Sequence, residues 1–474
     1  MIPFAQYVRG LASDGDLLTL EAPIDVPPAV VAAEALRASG PALRYERADG
    51  ADLTSGTFSG PDQMQRRESY PWSRLALGLG LEPEASFVSV LDTITQLGPA
   101  GERGEPTYAE QAASRTVDSV QGLNLPSDTE DVWPSLTLGV ASISTAEGTH
   151  WAPIHGAVVS DDKLRVRTPV AVSSLLDDGT LSIALGVPPA AIMAAYLLAV
   201  RGCVEVPVQA SGVADTVPLV PTNGGLVPSA TEVVIETTVA DRHPDFQSDR
   251  REAWEYGIES TPLALSVERI IATDDPVIPF SPVGRPLADD LQLTGLATAA
   301  TLYDRVNDYW GISPVEWILL PVEAELGICF VATNVLYAGF EWQLANIIFA
   351  FSSLFDTVVI VDEDVSPREL GRVLGDIWVK AHPSRDWIFS ESSAPTAKRP
   401  RYRRDGQTGS RLYVNAAWDP RWEDAYIAPR VTFEQSFPSS VRDVAQRMWN
   451  ARHSGAADDE NRGENEKANT DARQ

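Results

Sequence analysis

Among the side chains able to do chemistry between Thr137 and Gly257 are His150, His155, Glu205, Glu232, Gln247 and Glu252. They are set among short apolar runs and turns, where water is scarce. A carboxyl in such surroundings has its charged form disfavoured, which raises its pKa toward the range where it can exchange a proton near neutrality. The segment Asp249-Arg-Arg-Glu252 supports a second reading of Glu252, in which it pairs with a neighbouring arginine on a solvated turn.

The elements that must position these groups read as strands over 136–144, 156–160, 181–187, 217–220 and 232–239, close enough together for a compact, barrel-like or split sheet with helices inserted. The run 181–187 ends at Pro188-Pro189, and the apolar stretch 190–200 then begins. Proline at a helix start loses nothing, because the first amides have no partner, so a helix N-terminus able to face an anion is expected there. Upstream, a helix over 4–12, the turn Asp14-Gly-Asp16, a strand over 17–20 and a helix over 30–38 form a small α/β entry unit. Downstream, the helical pattern 289–310 links to a second α/β part with strands at 316–321, 328–331 and 357–362 and a helix over 369–380. The expected organisation is a catalytic domain over 1–288 (with the entry unit in 1–125), a linker helix over 289–310 and an α/β domain over 311–450. A polar tail over 451–474 is expected to be disordered. The fold class is α/β (α+β).

Composition removes several functions. A formal charge of -29 repels nucleic acid and anionic lipid. Cys203 and Cys329, the two cysteines, exclude a disulfide framework and a multi-cysteine metal site and fit a cytoplasmic protein. The start lacks the basic region of a secretion signal, and the most apolar stretch, 337–355, is interrupted by Glu341, Gln343 and Asn346. Arginine outnumbers lysine 33 to 4, a usage that points to a GC-rich genome.

Walker, dinucleotide-fingerprint, zincin and nucleophile-elbow motifs are absent. Instead the chain carries, in order, Gly40-Pro-Ala-Leu-Arg-Tyr45, Ser73-Arg-Leu-Ala-Leu-Gly-Leu79, Thr137-Leu-Gly-Val140, Val158-Val-Ser-Asp-Asp162 and Gly186-Val-Pro-Pro-Ala-Ala191. Further on come Val227-Pro-Ser-Ala-Thr-Glu232, Leu320-Pro-Val-Glu-Ala324, Val361-Asp-Glu-Asp364, Gly409-Ser-Arg-Leu412 and Pro429-Arg-Val-Thr-Phe-Glu434. This series resembles the UbiD-like decarboxylases, which use prenylated FMN, over roughly residues 1 to 450.

The resemblance implies a non-oxidative decarboxylation of an α,β-unsaturated acid through a covalent cofactor adduct, with Glu252 returning the proton. Gln247 stands where the family has a second Glu, and His155 where it has an arginine. Gln cannot ionise and His offers no rigid fork, so substrate orientation or pH dependence is expected to differ. A divalent ion, Mn or Mg, would fall to His150 and Glu205, the third ligand position being Ala171; a monovalent cation is also implied. Thr137, Pro153, Ala195, Tyr196 and Leu197 fall at cofactor-contacting positions, and Arg411 at the position expected to meet the FMN phosphate. Glu232 is assigned a structural role. The altered set favours a specialised natural-product acid, polyketide-like and giving a terminal alkene. An aromatic or cinnamic-type acid and a non-catalytic flavin-binding scaffold are the alternatives. A flavin prenyltransferase as cofactor supplier and a homodimer or larger homo-oligomer are the implied partners.

Overall fold

The chain opens with α1 (Phe4–Ser13), which buries Phe4, Tyr7, Val8 and Leu11, the i, i+3, i+4, i+7 spacing of one helical face. Then come β1 (Leu17–Glu21), α2 (Pro28–Arg37), β2 (Ala42–Glu46), β3 (Asp52–Ser55), α3 (Ser73–Gly78) and α4 (Phe87–Gln96). Arg74 of α3, 3% exposed, locks this unit. Its guanidinium forks onto Asp16 at 2.6 and 2.7 Å and donates to the carbonyls of Gly40, Gly56 and Ser59 at 3.0, 2.7 and 2.5 Å.

The computed structural model describes residues 1–21, 26–47, 50–60, 70–99, 106–127, 134–176, 179–244, 260–282, 288–310, 315–352, 354–368, 370–390, 410–422 and 433–449. The expected tail at 451–474 lies outside them.

After the short edge strand β4 (Arg115–Thr116), the chain enters β5 (Ser135–Thr145), β6 (Gly148–Ser160), β7 (Lys163–Pro169), α5 (Val170–Leu175), β8 (Thr180–Leu185) and α6 (Pro189–Val200). It continues through α7 (Val213–Thr216), the hairpin β9 (Leu219–Thr222) and β10 (Gly225–Pro228), then β11 (Val233–Asp241), β12 (Ser260–Ala272) and β13 (Val277–Pro279). The order β11-β8-β5-β6-β7-β12 is closed by pairing of β11 with β12, giving a six-stranded antiparallel barrel. Strand alternation separates two apolar faces. Ile143, Ile154, Val166, Ile183, Ile235 and Leu263 pack together inside. Val140, Trp151 and Ala184 face outward onto α6. Apolar all round, α6 is buried as such a helix must be, and it starts at Pro189 as the sequence led us to expect. Also, β13 extends the N-terminal sheet to the order β1-β2-β3-β13.

The barrel form matches expectation, but the first half of β6, all of β7 and all of β12 are not among the expected strands. Pro153 and Pro262 lie within β6 and β12, and proline inside a run argues against a strand.

Helix α8 (Asp289–Trp310) has the predicted bounds. It leads to β14 (Val315–Leu319), β15 (Ile328–Thr333), α9 (Phe340–Phe351), β16 (Thr357–Asp362), α10 (Leu370–Lys380), β17 (Trp387–Phe389) and β18 (Leu412–Ala416). In the sheet order β14-β15-β16-β18-β17, the three inner strands are parallel and the two edges antiparallel. Asp289, fully buried, fastens α8 to the N-terminal unit by accepting from the amides of Thr57, Phe58 and Ser59 at 3.2, 2.8 and 2.7 Å. Burial pushes its carboxyl up, while those bonds oppose the shift. Residues 421–474 form a separate unit in which 433–436 and 439–449 are helical. Among the described residues no helix is long and apolar enough to cross a membrane.

Candidate functional site

On the outer face of the barrel, β5 is interrupted. Leu136 pairs with Gly156 and Gly139 with Ile154, so Thr137 and Leu138 together stand opposite His155. This is a β-bulge, a device that re-aims side chains beside active sites. Leu138 is held at φ 56°, the left-handed region that a branched side chain avoids. At Gly139 a Cβ would meet Ile154 and Leu185 methyls at 3.0 Å, so a larger residue where the strand resumes requires those side chains to shift.

The bulge brings Thr137 and His155, both singled out from sequence, to one place. Thr137 Oγ1 accepts from the Ser281 amide at 2.9 Å, which leaves its own O–H to donate elsewhere. Ser281 Oγ in turn donates to Asp290 at 2.5 Å. Pro153 sits on the same strand as His155, paired with Val140. On α6, Ala195 and Leu197 have no exposed surface, and Tyr196 keeps 8%. Burial raises the Tyr196 hydroxyl well above its ordinary range, and the charges of Asp290 and Asp289 add to that. Tyr196 is therefore a neutral donor at any working pH.

His155 has a further neighbour. Its register partner on β7 is Arg167, and Arg165 lies opposite Ala157 two residues along. All three are half-buried, and cross-strand partners share a sheet face. Sequence reading passed over both arginines, since a single Arg-Val-Arg after the Asp161-Asp162 turn is the ordinary pattern of a half-solvated strand. Only the partner strand reveals that they flank His155.

His150 is fully buried, with Nε2 2.9 Å from Thr145 Oγ1 and Nδ1 3.1 Å from the Val204 carbonyl. Glu205, next to Val204, is exposed, and Ala171 of α5 supplies no donor. Among the described residues, no three His, Cys, Asp or Glu side chains are grouped to hold a metal ion. This donor set does not fit a divalent ion, because beside His150 it offers only an exposed carboxylate, with an alanine at the third position. Arg411 stands at the start of β18, its guanidinium donating to the Phe349 carbonyl at 3.3 Å and lying 5.1 Å from the Phe349 ring. Its partners thus belong to α9 and the C-terminal sheet rather than to the bulge. Glu252 and Gln247 lie outside the described residues, in the connection between β11 and β12.

The face around the bulge therefore offers a donor and cations: the Thr137 hydroxyl, an imidazole and two guanidinium groups. That set fits a flat anionic ligand such as a flavin mononucleotide, together with a carboxylate.

Comparison with known proteins agrees with this chemistry. The sequence profile of the UbiD 3-octaprenyl-4-hydroxybenzoate carboxy-lyase Rift-related domain matches residues 148–286, and that of the C-terminal domain of the same enzymes matches 292–416. The chain is 21% identical to a pyrrole-2-carboxylic acid decarboxylase of Pseudomonas aeruginosa, covering 94% of this chain and 97% of that one. It is 19% identical, at the same coverage, to ferulic acid decarboxylase 1 of Saccharomyces cerevisiae. Its fold is similar to that of the vanillic acid decarboxylase of Sedimentibacter hydroxybenzoicus in open form, with TM-score 0.74, 16% identity and coverage of 96% and 99%. It is also similar to the UbiD-class enzyme HmfF of Pelotomaculum thermopropionicum in complex with FMN, with TM-score 0.70, 15% identity and coverage of 91% and 98%.

Proposed function

This chain belongs to the UbiD family of carboxy-lyases, whose two matched domains span more than half of it, and from that premise we propose that it removes carbon dioxide from an unsaturated acid with prenylated FMN bound at the bulge of β5. The observation that carries this reading is the meeting of Thr137 and His155 at the β5 bulge, in a chain that matches decarboxylases over nearly its whole length.

When bound, the flavin supplies the electron sink for the pair released by the breaking carbon–carboxyl bond. Thr137 and Tyr196 would hold it by donating hydrogen bonds, with Pro153 on the strand that carries His155 and Ala195 and Leu197 anchoring α6 in the core. His155 faces the substrate carboxylate. Glu252 gives its proton to the carbon that loses carbon dioxide, so that the acid's carbon–carbon bond is exchanged for a carbon–hydrogen bond with no net oxidation. Gln247 supports it as a neutral hydrogen-bonding neighbour. No step is routed through a metal, since the donors at His150 and Glu205 do not form a set for one. Aromatic and heteroaromatic acids are the substrates of the relatives; the replacement of a fixed cation by His155 favours, for this chain, a longer polyketide-like acid giving a terminal alkene.

A homo-oligomer assembled through the C-terminal sheet completes the proposal. It is supported by Trp378, Phe389 and Val379, which are 88%, 63% and 62% exposed on α10 and β17, more apolar surface than a solitary protein usually leaves in water.

The test is co-expression with a flavin prenyltransferase, followed by carbon dioxide release from pyrrole-2-carboxylate, ferulate and a polyene acid. Wild type is expected to release carbon dioxide from at least one, and Glu252→Gln to lose about 100-fold or more in turnover, the usual worth of a positioned general acid, while keeping its flavin. Silence on all three acids, or a Glu252→Gln variant as fast as wild type, would end this reading.

A further inference from the structure

We propose that Asp290 is a positioning residue for the flavin: acting through Ser281, it fixes the direction in which the Thr137 hydroxyl donates at the bulge of β5. This rests on the reading of that bulge as the flavin site and adds to it a residue from the first turn of α8.

The bulge itself is the first support. Pairing of β5 with β6 stops at Leu136 and resumes at Gly139, and pairing with β8 begins at Val140, so among the described residues neither Thr137 nor Leu138 has a register partner on either strand. Leu138 adds strain at φ 56°, and backbone in that region persists only where its surroundings over-determine it. The Ser281 amide, donating to Thr137 Oγ1 at 2.9 Å, supplies a hold on this stretch from beyond the barrel strands.

The anchoring of Ser281 is the second. Its Oγ donates to Asp290 Oδ1 at 2.5 Å, a length usual for a hydroxyl on a carboxylate. Ser281 is 3% exposed and Thr137 6%, so little water competes for these bonds. The residue before, Phe280, donates its amide to the Thr54 carbonyl at 2.8 Å. Asp290 is fixed in turn. Its carbonyl accepts from Thr294 Oγ1 at 2.9 Å, and the preceding Asp289 is held by the amides of Thr57, Phe58 and Ser59. The two acids thus divide the work at the start of α8: Asp289 fastens the helix, and Asp290 fixes the segment that touches Thr137.

The consequence lies in one hydrogen atom. A threonine oxygen has one O–H and two lone pairs. With a lone pair taken by the Ser281 amide, the hydroxyl hydrogen is confined to the remaining directions, and the group meets an acceptor on the flavin as a donor already aimed. Such alignment before binding lowers its entropic cost. Without Asp290 the Ser281 side chain loses an anchor, the amide it carries shifts, and Thr137 regains the freedom that the bond removes.

The experiment is a double-mutant cycle on the affinity of the full chain for unmodified FMN, read by quenching of flavin fluorescence. Thr137→Val and Asp290→Ala should each weaken binding by about five-fold, the worth of one neutral hydrogen bond. The double variant should be no weaker than either alone, because both changes remove the same contact. Asp290→Asn keeps an acceptor for Ser281 Oγ and should recover most of the loss. Ser281→Ala keeps the amide and deletes only the anchor; it should match Asp290→Ala, and it replaces that variant in the cycle if Asp290→Ala does not fold. An aspartate that merely stabilised the fold would add its effect in full to that of Thr137→Val. Losses that multiply in the double variant therefore overturn the proposal, as does a Ser281→Ala or Thr137→Val protein with wild-type affinity, or a wild type that binds no FMN. Coupling of the expected size in a wild type that releases no carbon dioxide from any of the three acids would leave this inference standing while ending the decarboxylase reading.

Discussion

Arg74, in the N-terminal unit, and Arg167, on the outer face of the barrel, both set a guanidinium against folded backbone, but their surroundings differ in how completely they close. Around Arg74 the acceptors are an aspartate and three carbonyls of the same unit, and the group is 3% exposed. Arg167 is half-buried beside His155 and Arg165, with Ser260 as its side-chain anchor. A cation enclosed by acceptors from its own chain serves the fold. One clustered with other cations, on a face that water still reaches, contributes less to holding the fold together.

The largest effect that would break this contrast is on stability. Arg74→Ala leaves the buried carbonyls of Gly56 and Ser59 without their donor and takes the partner from half-exposed Asp16, a loss of about 3 kcal/mol. Chemical denaturation followed by circular dichroism should show that shift, whereas Arg167→Gln should move the midpoint by about 1 kcal/mol or less. Equal shifts in the two variants would erase the distinction.

How much of this was legible beforehand follows from what each signal depends on. Helix α8 has its predicted bounds because its pattern is local, and the apolar runs of β5, β8, β11 and β16 are likewise visible without their neighbours. The strands β7 and β12 were missed: β7 alternates but has only Leu164 and Val166 as its apolar members, and β12 carries Pro262 near its start. With β7 went Arg167, whose meaning comes from a partner on another strand. Thr137 and His155 were named from family likeness, but their meeting depends on one extra residue in β5, a property of pairing rather than of sequence. The enclosure of Asp289 by the loop around Phe58 spans more than 200 residues and leaves no trace in spacing.

A third arginine sharpens the same contrast at smaller scale. Family likeness assigns Arg411 to the flavin phosphate, while its guanidinium is engaged by the carbonyl and ring of Phe349. Replacing it with alanine should cost about 1–2 kcal/mol, the sum of one hydrogen bond and one cation–π contact, with flavin content unchanged. A colourless Arg411→Ala protein of normal stability would instead move it into the class of Arg167.

The smallest effect concerns a buried carboxyl that serves the fold as Arg74 does. Glu232 is 5% exposed. It accepts from Thr273 Oγ1 at 2.8 Å and from the amides of Val277 and Ala5. The Ala5 amide belongs to the first turn of α1, whose N-cap, Pro3, has no side chain to satisfy it, so Glu232 caps that helix from across the fold. Burial nonetheless dominates and raises its pKa above the ordinary 4.5. The folded state therefore binds this proton more tightly than the unfolded state. Its contribution to stability is fully present below 4.5 and declines as pH rises through the raised value. Glu232→Gln removes the titration and some of the hydrogen bonding together, but the two separate on a pH axis. Lost bonds lower the variant's stability by the same amount at every pH, whereas the lost charge makes the wild type fall toward the variant as pH rises from 4.5. Urea midpoints for both proteins between pH 4 and 8 should converge across that window. Parallel curves would show that the amides of Ala5 and Val277, with Thr273, balance burial at this site, and curves that diverge as pH rises that they outweigh it.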